Sequence, residues 1–327
     1  MVSVLRYKKV KEVLRMDTNL WAMRPCQAFE SKVTCLAFLE GDPDTVYVVG
    51  DDNVFTAWDV QPNVPPTKRH EFKLELQSKI TRLLLINPFG TIVGTEDGEL
   101  ALFHIGEKIL LKGVAGHRDA VVDLYHYVPE RRIMSVGQDR KIIVWSETLD
   151  EVCSIQSSLE IVASNPFVTR SAKSFDFVMV QRRGAALFQK LDKLRDIDAS
   201  CGSTKLPTHS FAPVLCCSLA PDGSLLVCGN IEGKAVVSDA STGTCFRQYD
   251  FQGRVLQVGF SPNRYWVFGR TRQGLRIYDL ETHEKQLDFR LPDTDVHRLV
   301  DFSFSPNGNI GVIGFSDGSV TVIDVQS

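Results

Sequence analysis

Short apolar runs recur along the chain, each bounded by turn-forming residues. The clearest copy reads Gly116-His117, Val121-Val122-Asp123-Leu124, Ile133-Met134-Ser135-Val136-Gly137, Gln138-Asp139-Arg140 and Lys141-Ile142-Ile143-Val144-Trp145. Three β-rich runs alternate there with turn residues, and an acid stands six positions before an aromatic. The same frame recurs as Asp52 to Trp58, Asp97 to Phe103, Glu232 to Ser238 and Asp317 to Ile323. Weaker copies put Arg182 before Phe188 and Arg272 before Tyr278. The end positions 58, 103, 145, 188, 238, 278 and 323 are separated by 45, 42, 43, 50, 40 and 45 residues.

Seven copies at that period have the spacing of WD-repeat blades. Tight turns such as Pro221-Asp222-Gly223 and Pro306-Asn307-Gly308 favour antiparallel meanders over helical crossovers. The expected fold is therefore all-β, a seven-bladed WD-repeat β-propeller around a central channel. It fills residues 21–327 and leaves no room for a second domain.

His117, Ser135, Asp139 and Trp145 match the hydrogen-bonded tetrad of such a blade. Their composition also mimics a Ser-His-Asp hydrolase triad. A triad requires an exposed nucleophile and an oxyanion hole, whereas a tetrad buries all four groups with their polar atoms satisfied. The structural role is the expected one. The other copies keep fragments of this network and should rely more on apolar packing.

The last copy ends after Val320–Val325 with no residues left for an outer strand. Arg24–Phe29 precedes Lys32–Phe38 as each outer strand precedes the next inner one, so an N-terminal strand should complete the last blade and remove an open sheet edge. Residues 1–20 then form a basic extension. Arg6, Lys8, Lys9, Lys11 and Arg15 against Glu12 give 5 − 1 = +4 over residues 1–15. It reads as a solvated arm, an added edge element or a contact for an acidic partner.

Composition removes several classes. With 37 Lys and Arg against 40 Asp and Glu, the net charge of −3 gives no broad electrostatic case for coating nucleic acid. No apolar run approaches the roughly 18 residues of a membrane span. Met1–Met16 is broken by basic residues and lacks the apolar core of a signal peptide. The eight cysteines form no C-x-x-C pair and read as reduced thiols of a cytoplasmic protein. There is no phosphate loop. Gly308, Gly311 and Gly314 span a turn and a strand, and His70, His104, His126, His209, His283 and His297 form no metal motif. No cofactor and no metal are expected.

A narrower resemblance comes from the C-terminal third. Ala220-Pro221-Asp222-Gly223-Ser224-Leu225 is followed by Gly233-Lys234-Ala235, then by Gly259–Trp266 and Leu275–Glu281. The string Phe260-Ser261-Pro262-Asn263-Arg264-Tyr265-Trp266 resembles the receptor for activated C kinase, the Gβ-like scaffold of the small ribosomal subunit. Thr148–Cys153 after Trp145 is similar to a second run of that family. The resemblance implies a protein without catalytic chemistry. It would sit on RNA and proteins of the small ribosomal subunit, recruit protein kinase C-like kinases and translation or signalling factors, and be monomeric elsewhere.

The resemblance also assigns sites. The family docks on ribosomal RNA through an Arg-Asp-Lys turn in its first blade, matched here by Asp51, Asp52 and Asn53. Asp51 and Asn53 replace the two basic residues, and an acid there repels phosphate. Lys68, Arg69 and Lys73, after the Pro62–Pro66 loop, are candidate replacements, with solvated loop charges as the plainer reading. Tyr265 matches a family tyrosine linked to phosphorylation and docking, though beside Trp266 it reads as partly buried packing. Kinase contact would fall on Ile142–Gln156 and Val255–Phe260. The alternative function is a WD-repeat adaptor of a signalling or trafficking complex that has lost the ribosome. A Gβ subunit is disfavoured because residues 1–20 are too short for its coiled-coil helix. A propeller enzyme would need polar groups converging on the channel, and no recognisable set is present.

Overall fold

A computed structural model describes residues 21–325 apart from 28–29, 87–89, 128–130, 157–160, 169–174, 182–184, 191–203, 208–211, 241 and 292–297. For 161–168, 175–181, 185–190 and 204–207 the description is of the backbone. The basic segment 1–20, Phe29 and Arg182 lie outside the described residues.

The described strands pair into seven four-stranded antiparallel sheets. Strand β1 (Trp21–Gln27) comes first in the chain. The first blade is β2 (Val33–Leu39), β3 (Asp42–Gly50), β4 (Val54–Asp59) and β5 (Thr67–Lys73). The second is β6 (Ile80–Leu85), β7 (Gly90–Thr95), β8 (Glu99–His104) and β9 (Ile109–Ala115). The third is β10 (Val121–Tyr127), β11 (Arg132–Gly137), β12 (Lys141–Ser146) and β13 (Glu151–Gln156). A fourth sheet holds β14 (Ile161–Val168), β15 (Phe175–Gln181), β16 (Ala185–Lys190) and β17 (Thr204–Pro207). The fifth is β18 (Val214–Leu219), β19 (Leu225–Asn230), β20 (Lys234–Asp239) and β21 (Cys245–Asp250). The sixth is β22 (Gln257–Phe260), β23 (Trp266–Arg270), β24 (Gly274–Asp279) and β25 (Lys285–Arg290). Then β26 (Leu299–Phe304), β27 (Ile310–Phe315) and β28 (Ser319–Val325) are joined by β1 as the outer strand. The innermost strands β26, β2, β6, β10, β14, β18 and β22 follow one another side by side, and Gln257 of β22 hydrogen-bonds to the backbone of Phe302 in β26. The fold is an all-β β-propeller.

Packing explains the sequence pattern. Sheets stacked face to face bury both sides of a central strand, so β4, β8, β12 and β20 each have four consecutive buried residues instead of an alternation. The core therefore lies between blades. Phe268, Leu275, Ile277 and Phe289 of the sixth blade meet Phe302 and Phe315 of the next. Phe55 and Ala57 of the first meet Val93 and Phe103 of the second. Each of these side chains larger than alanine contributes roughly 1.5–3 kcal/mol on full burial. Outer strands such as β5 and β21 are almost wholly exposed and correspondingly polar.

Two bulge series mark the repeat. Six inner strands shift register near their start, between Val33 and Cys35, Ile80 and Arg82, Val121 and Asp123, Ile161 and Ala163, Val214 and Cys216, and Leu299 and Asp301. A second series falls immediately before Trp58, Phe103, Trp145, Ser238 and Tyr278, where strand three meets strand four. The aromatic end markers thus sit where the sheet adds twist.

β1 pairs with β28 from Trp21 opposite Val325 to Gln27 opposite Ser319. It begins three residues before Arg24. Pro25, opposite Thr321, is tolerated because an outermost strand needs no donor on its free side. Arg24 ion-pairs with Asp324 and donates to the Gln61 carbonyl (2.8 Å), fastening this blade to the first.

Candidate functional site: two blade-end turns and the channel mouth

The β11–β12 turn holds the four-residue chain. Asp139 Oδ1 lies 3.1 Å from His117 Nδ1, His117 Nε2 lies 2.7 Å from Ser135 Oγ, and Trp145 Nε1 donates to the same Oγ at 2.9 Å. Because Ser135 accepts from the indole, its own proton points to Nε2, and Nδ1–H faces Asp139. Burial pushes His117 below its ordinary pKa and outweighs the pull of Asp139. Burial raises Asp139, but the N–H groups of Arg118 and Lys141 with His117 hold it lower overall. The pair is therefore a neutral imidazole beside a carboxylate. Ser135 is 0% exposed and already engaged twice, so it offers no nucleophile. Gly137 is required because a Cβ would stand 2.3 Å from His117 Nδ1.

The matching turn of the first blade is built differently. Asn53 adopts a left-handed φ of 62°, as Arg140 does at 67° in the third blade. Its Nδ2 donates to the Ser78 carbonyl (2.9 Å), and its Oδ1 accepts from the Ile80 N–H (3.0 Å). At 7% exposure it presents nothing to a partner and instead locks the loop leading to the second blade. Its expected place on an RNA surface is corrected on that ground. Asp52 Oδ1 accepts from the Val54 N–H (3.1 Å). Asp51 Oδ2 lies 3.5 Å from the ammonium of Lys79, which is 60% exposed. Sequence reading missed Lys79 because it stands 28 positions from Asp51, across the outer strand (79 − 51 = 28).

The basic candidates divide. Lys73 is exposed and pairs with Val54, beside the Asp51–Asn53 turn. Lys68 pairs with Trp58 at the other end of β5. The two are five residue steps apart along the strand, about 17 Å. Lys68 and Arg69 are therefore strand residues distant from Asp51, which corrects both their expected nearness to that turn and the plainer reading as loop charges. Lys68 ion-pairs with Glu71 and lies 5.6 Å from the Trp58 ring centroid. Arg69 pairs with Asp59 (2.5 Å) and donates to Thr45 Oγ1 (3.2 Å), and the Asp59 bond raises its pKa.

Tyr265 stands in the turn before β23 and is 69% exposed, contrary to the packing expected beside Trp266. Arg264, not Tyr265, covers that indole at 4.7 Å. Within Val255–Phe260, Val255 and Val258 are buried, and Phe260 is half-buried at the end of β22. Ile142–Gln156 spans buried β12 and exposed β13 positions, including Val152.

The inner strands line a channel. Asp123 accepts from the Tyr125 hydroxyl, and Arg82 lies 4.0 Å away. Enclosure pushes the Asp123 carboxyl up to about 6. Burial raises Cys26, Cys35, Cys216 and Cys228 to about 12, which makes these thiols inert. Among the described residues no His, Cys, Asp and Glu group could hold a metal, and no helix is long and apolar enough to cross a membrane.

The stacked antiparallel blades and the hydrogen-bonded tetrad define a WD-repeat β-propeller. The family described as "WD domain, G-beta repeat" matches residues 200–237. Small ribosomal subunit protein RACK1 of Schizosaccharomyces pombe is 29% identical over 114 residues, covering 33% of this chain and 36% of that protein. Small ribosomal subunit protein RACK1y of Oryza sativa subsp. japonica is 29% identical over 128 residues, 38% of each chain. Cross-pathway control WD-repeat protein 2 of Flammulina velutipes is 30% identical over 116 residues, 34% of this chain and 37% of its own. The matched part spans little more than a third of each relative. Over that part the chain is distantly similar to proteins named RACK1 and to a WD-repeat protein.

Proposed function

We propose that this protein is a non-enzymatic scaffold of the small ribosomal subunit, acting in the cytoplasm and recruiting kinases and translation or signalling factors. In this reading residues 21–327 make one seven-bladed, monomeric ring, and residues 1–20 form a basic extension ahead of it. The carrying observation is the similarity to relatives named as small ribosomal subunit RACK1 proteins. The rigid ring supports it, since stacked blades hold loops at two ends as separate platforms. Lys73 and Lys79 flank the first-blade turn and are the groups that would meet phosphate there.

A second reading, an adaptor of a signalling or trafficking complex without ribosome binding, is favoured by that same turn. Asp51 spends part of the Lys79 charge, and Asn53 is locked inward. Co-sedimentation with small ribosomal subunits across a salt series separates the two. The ribosomal reading expects association that falls as salt rises, by close to one power of salt per phosphate contact. Asp51→Arg should strengthen it, and Lys73→Ala with Lys79→Ala should weaken it. Lys68→Ala with Arg69→Ala should leave it unchanged, because those residues lie at the opposite end of β5. No association of either wild type or Asp51→Arg at any salt establishes the adaptor reading.

A further inference from the structure

At the end of the channel carrying the β2–β3, β18–β19, β22–β23 and β26–β27 turns, the inner strands and these turns line a cavity of about 440 Å³. That is within the range of ligand pockets, about 300–1,000 Å³. Phe260 and Phe304 end their inner strands in its wall, Phe38 stands one residue before the end of β2, and each is half-buried. The Phe304 ring is held edge-on against Phe302 (4.9 Å) and Phe268 (5.8 Å), so its orientation is fixed. Pro262 and Pro306 stiffen the rim.

Among the described lining residues Glu40 is the one charged side chain. It is exposed, and it stands two positions after Phe38. The charges deeper in the channel are already engaged. Arg270 donates to Gln257 Oε1 (2.8 Å) and the Leu299 carbonyl (3.0 Å). Asp301 accepts from the N–H groups of Leu36 (3.0 Å) and Phe302 (2.9 Å). Arg264 does not line the cavity and is stacked on Trp266.

Aromatic faces attract cations, and a carboxylate at the rim adds an attraction of the same sign. An acidic or phosphorylated segment would instead meet Glu40. From this geometry we infer that the channel mouth is a docking site for a cationic side chain, lysine or arginine, carried on an extended segment of a partner protein. The alkyl stem would pack on Phe38, Phe260 and Phe304, and the charged head would face Glu40. This surface is separate from the first-blade turn, and its test uses the isolated chain, so it stands or falls independently of ribosome association.

The test is fluorescence anisotropy of the full-length protein with a labelled Gly-Arg-Lys-Gly peptide, beside Gly-Glu-Asp-Gly and Gly-Leu-Leu-Gly. The basic peptide should bind, more weakly as salt rises, and the other two should not. Glu40→Lys should weaken binding about tenfold or more, because it turns attraction into repulsion at an exposed position. Phe38→Leu keeps an apolar side chain but removes the aromatic ring, and should weaken binding about threefold or more. Thermal melting of each variant checks that the ring is intact. The proposal is overturned if the basic peptide shows no binding at about 1 mM protein. Equal binding of the neutral peptide, or an unchanged affinity for Glu40→Lys, overturns it as well.

Discussion

The third and first blades share a backbone frame and differ in how they tie their strands together. Trp145 is opposite Ile133 in the third blade, and Trp58 is opposite Val46 in the first, so the two indoles occupy matching positions. In the third blade the acceptor for the indole N–H is Ser135, on the second strand. The matching position in the first blade is Val48, which has no hydroxyl. The acceptor has moved to the third strand. Thr56 Oγ1 takes the Trp58 proton (2.9 Å) and donates to the Val48 carbonyl (3.4 Å). The loop clamp differs too, with His117 and Asp139 in one blade and Asn53 in the other. A blade is thus specified by its strand register and by satisfaction of its buried donors, and several residue sets meet that condition.

The sharpest way to break the comparison is to remove each hydroxyl. Ser135→Ala strands two buried groups, the Trp145 N–H and His117 Nε2, and should cost about 2–4 kcal/mol. Thr56→Val strands one donor and keeps the volume, so its cost should be about 1–2 kcal/mol. Urea unfolding of the two variants measures both. Equal losses would mean that the third-blade chain is no more cooperative than the single bond of the first.

Asn53 carries the next largest effect after Ser135. Asn53→Ala loses the bonds to Ser78 and Ile80 and puts an alanine at a left-handed φ, for about 1.5–3 kcal/mol. Asn53→Gly should recover the backbone part, about 1 kcal/mol, and leave the rest. Thermal melting of the two separates conformational strain from lost bonds. If glycine restored full stability, the clamp would be a matter of φ alone. A lysine at this position, as in the family turn, would also lose the clamp, so any gain in phosphate binding would come with a weaker blade.

This contrast also shows what a linear sequence displays. The third blade was legible because His117, Ser135, Asp139 and Trp145 fall within one repeat and keep their expected residue types. The period of the copies likewise follows from strand and turn lengths, which are local. The Asn53 clamp was not legible, because its partners are backbone atoms 25 and 27 positions away and carry no residue signature. Lys68 and Arg69 looked like loop charges because outer strands have no apolar face and read as polar linkers. Tyr265 was misplaced for a related reason. Which neighbour covers Trp266 depends on a turn geometry that lets Arg264 fold over the ring. The channel mouth joins the inner strands of four blades, so no single repeat shows it.

The smallest effect concerns pH, and it too divides the two blades. His117 must accept from Ser135 through an unprotonated Nε2, and burial holds its pKa below the ordinary 6.5. Above 6.5 the imidazole is neutral in folded and unfolded chains alike, and its contribution is complete. Below 6.5 the unfolded chain takes up the proton and the folded chain does not, so stability falls as pH drops toward the folded value. Asp123 acts oppositely in a similar window. Its carboxyl, raised to about 6, gains a proton in the folded chain first and stabilises it on acidification. That channel group keeps 28% of its side-chain surface open, which moderates the effect. The net wild-type profile therefore mixes two signs, and the informative quantity is a difference. The melting gap between wild type and His117→Asn should narrow from about pH 7.5 to about pH 5.5, because only the wild type has the histidine contribution to lose. The gap between wild type and Asn53→Ala should stay constant over that range, since the first-blade clamp contains no titrating group. A constant His117→Asn gap would show that the imidazole titrates alike in folded and unfolded chains, and a gap that widens on acidification would show that it is charged in the folded ring, with the hydrogen-bond directions assigned to the third blade reversed.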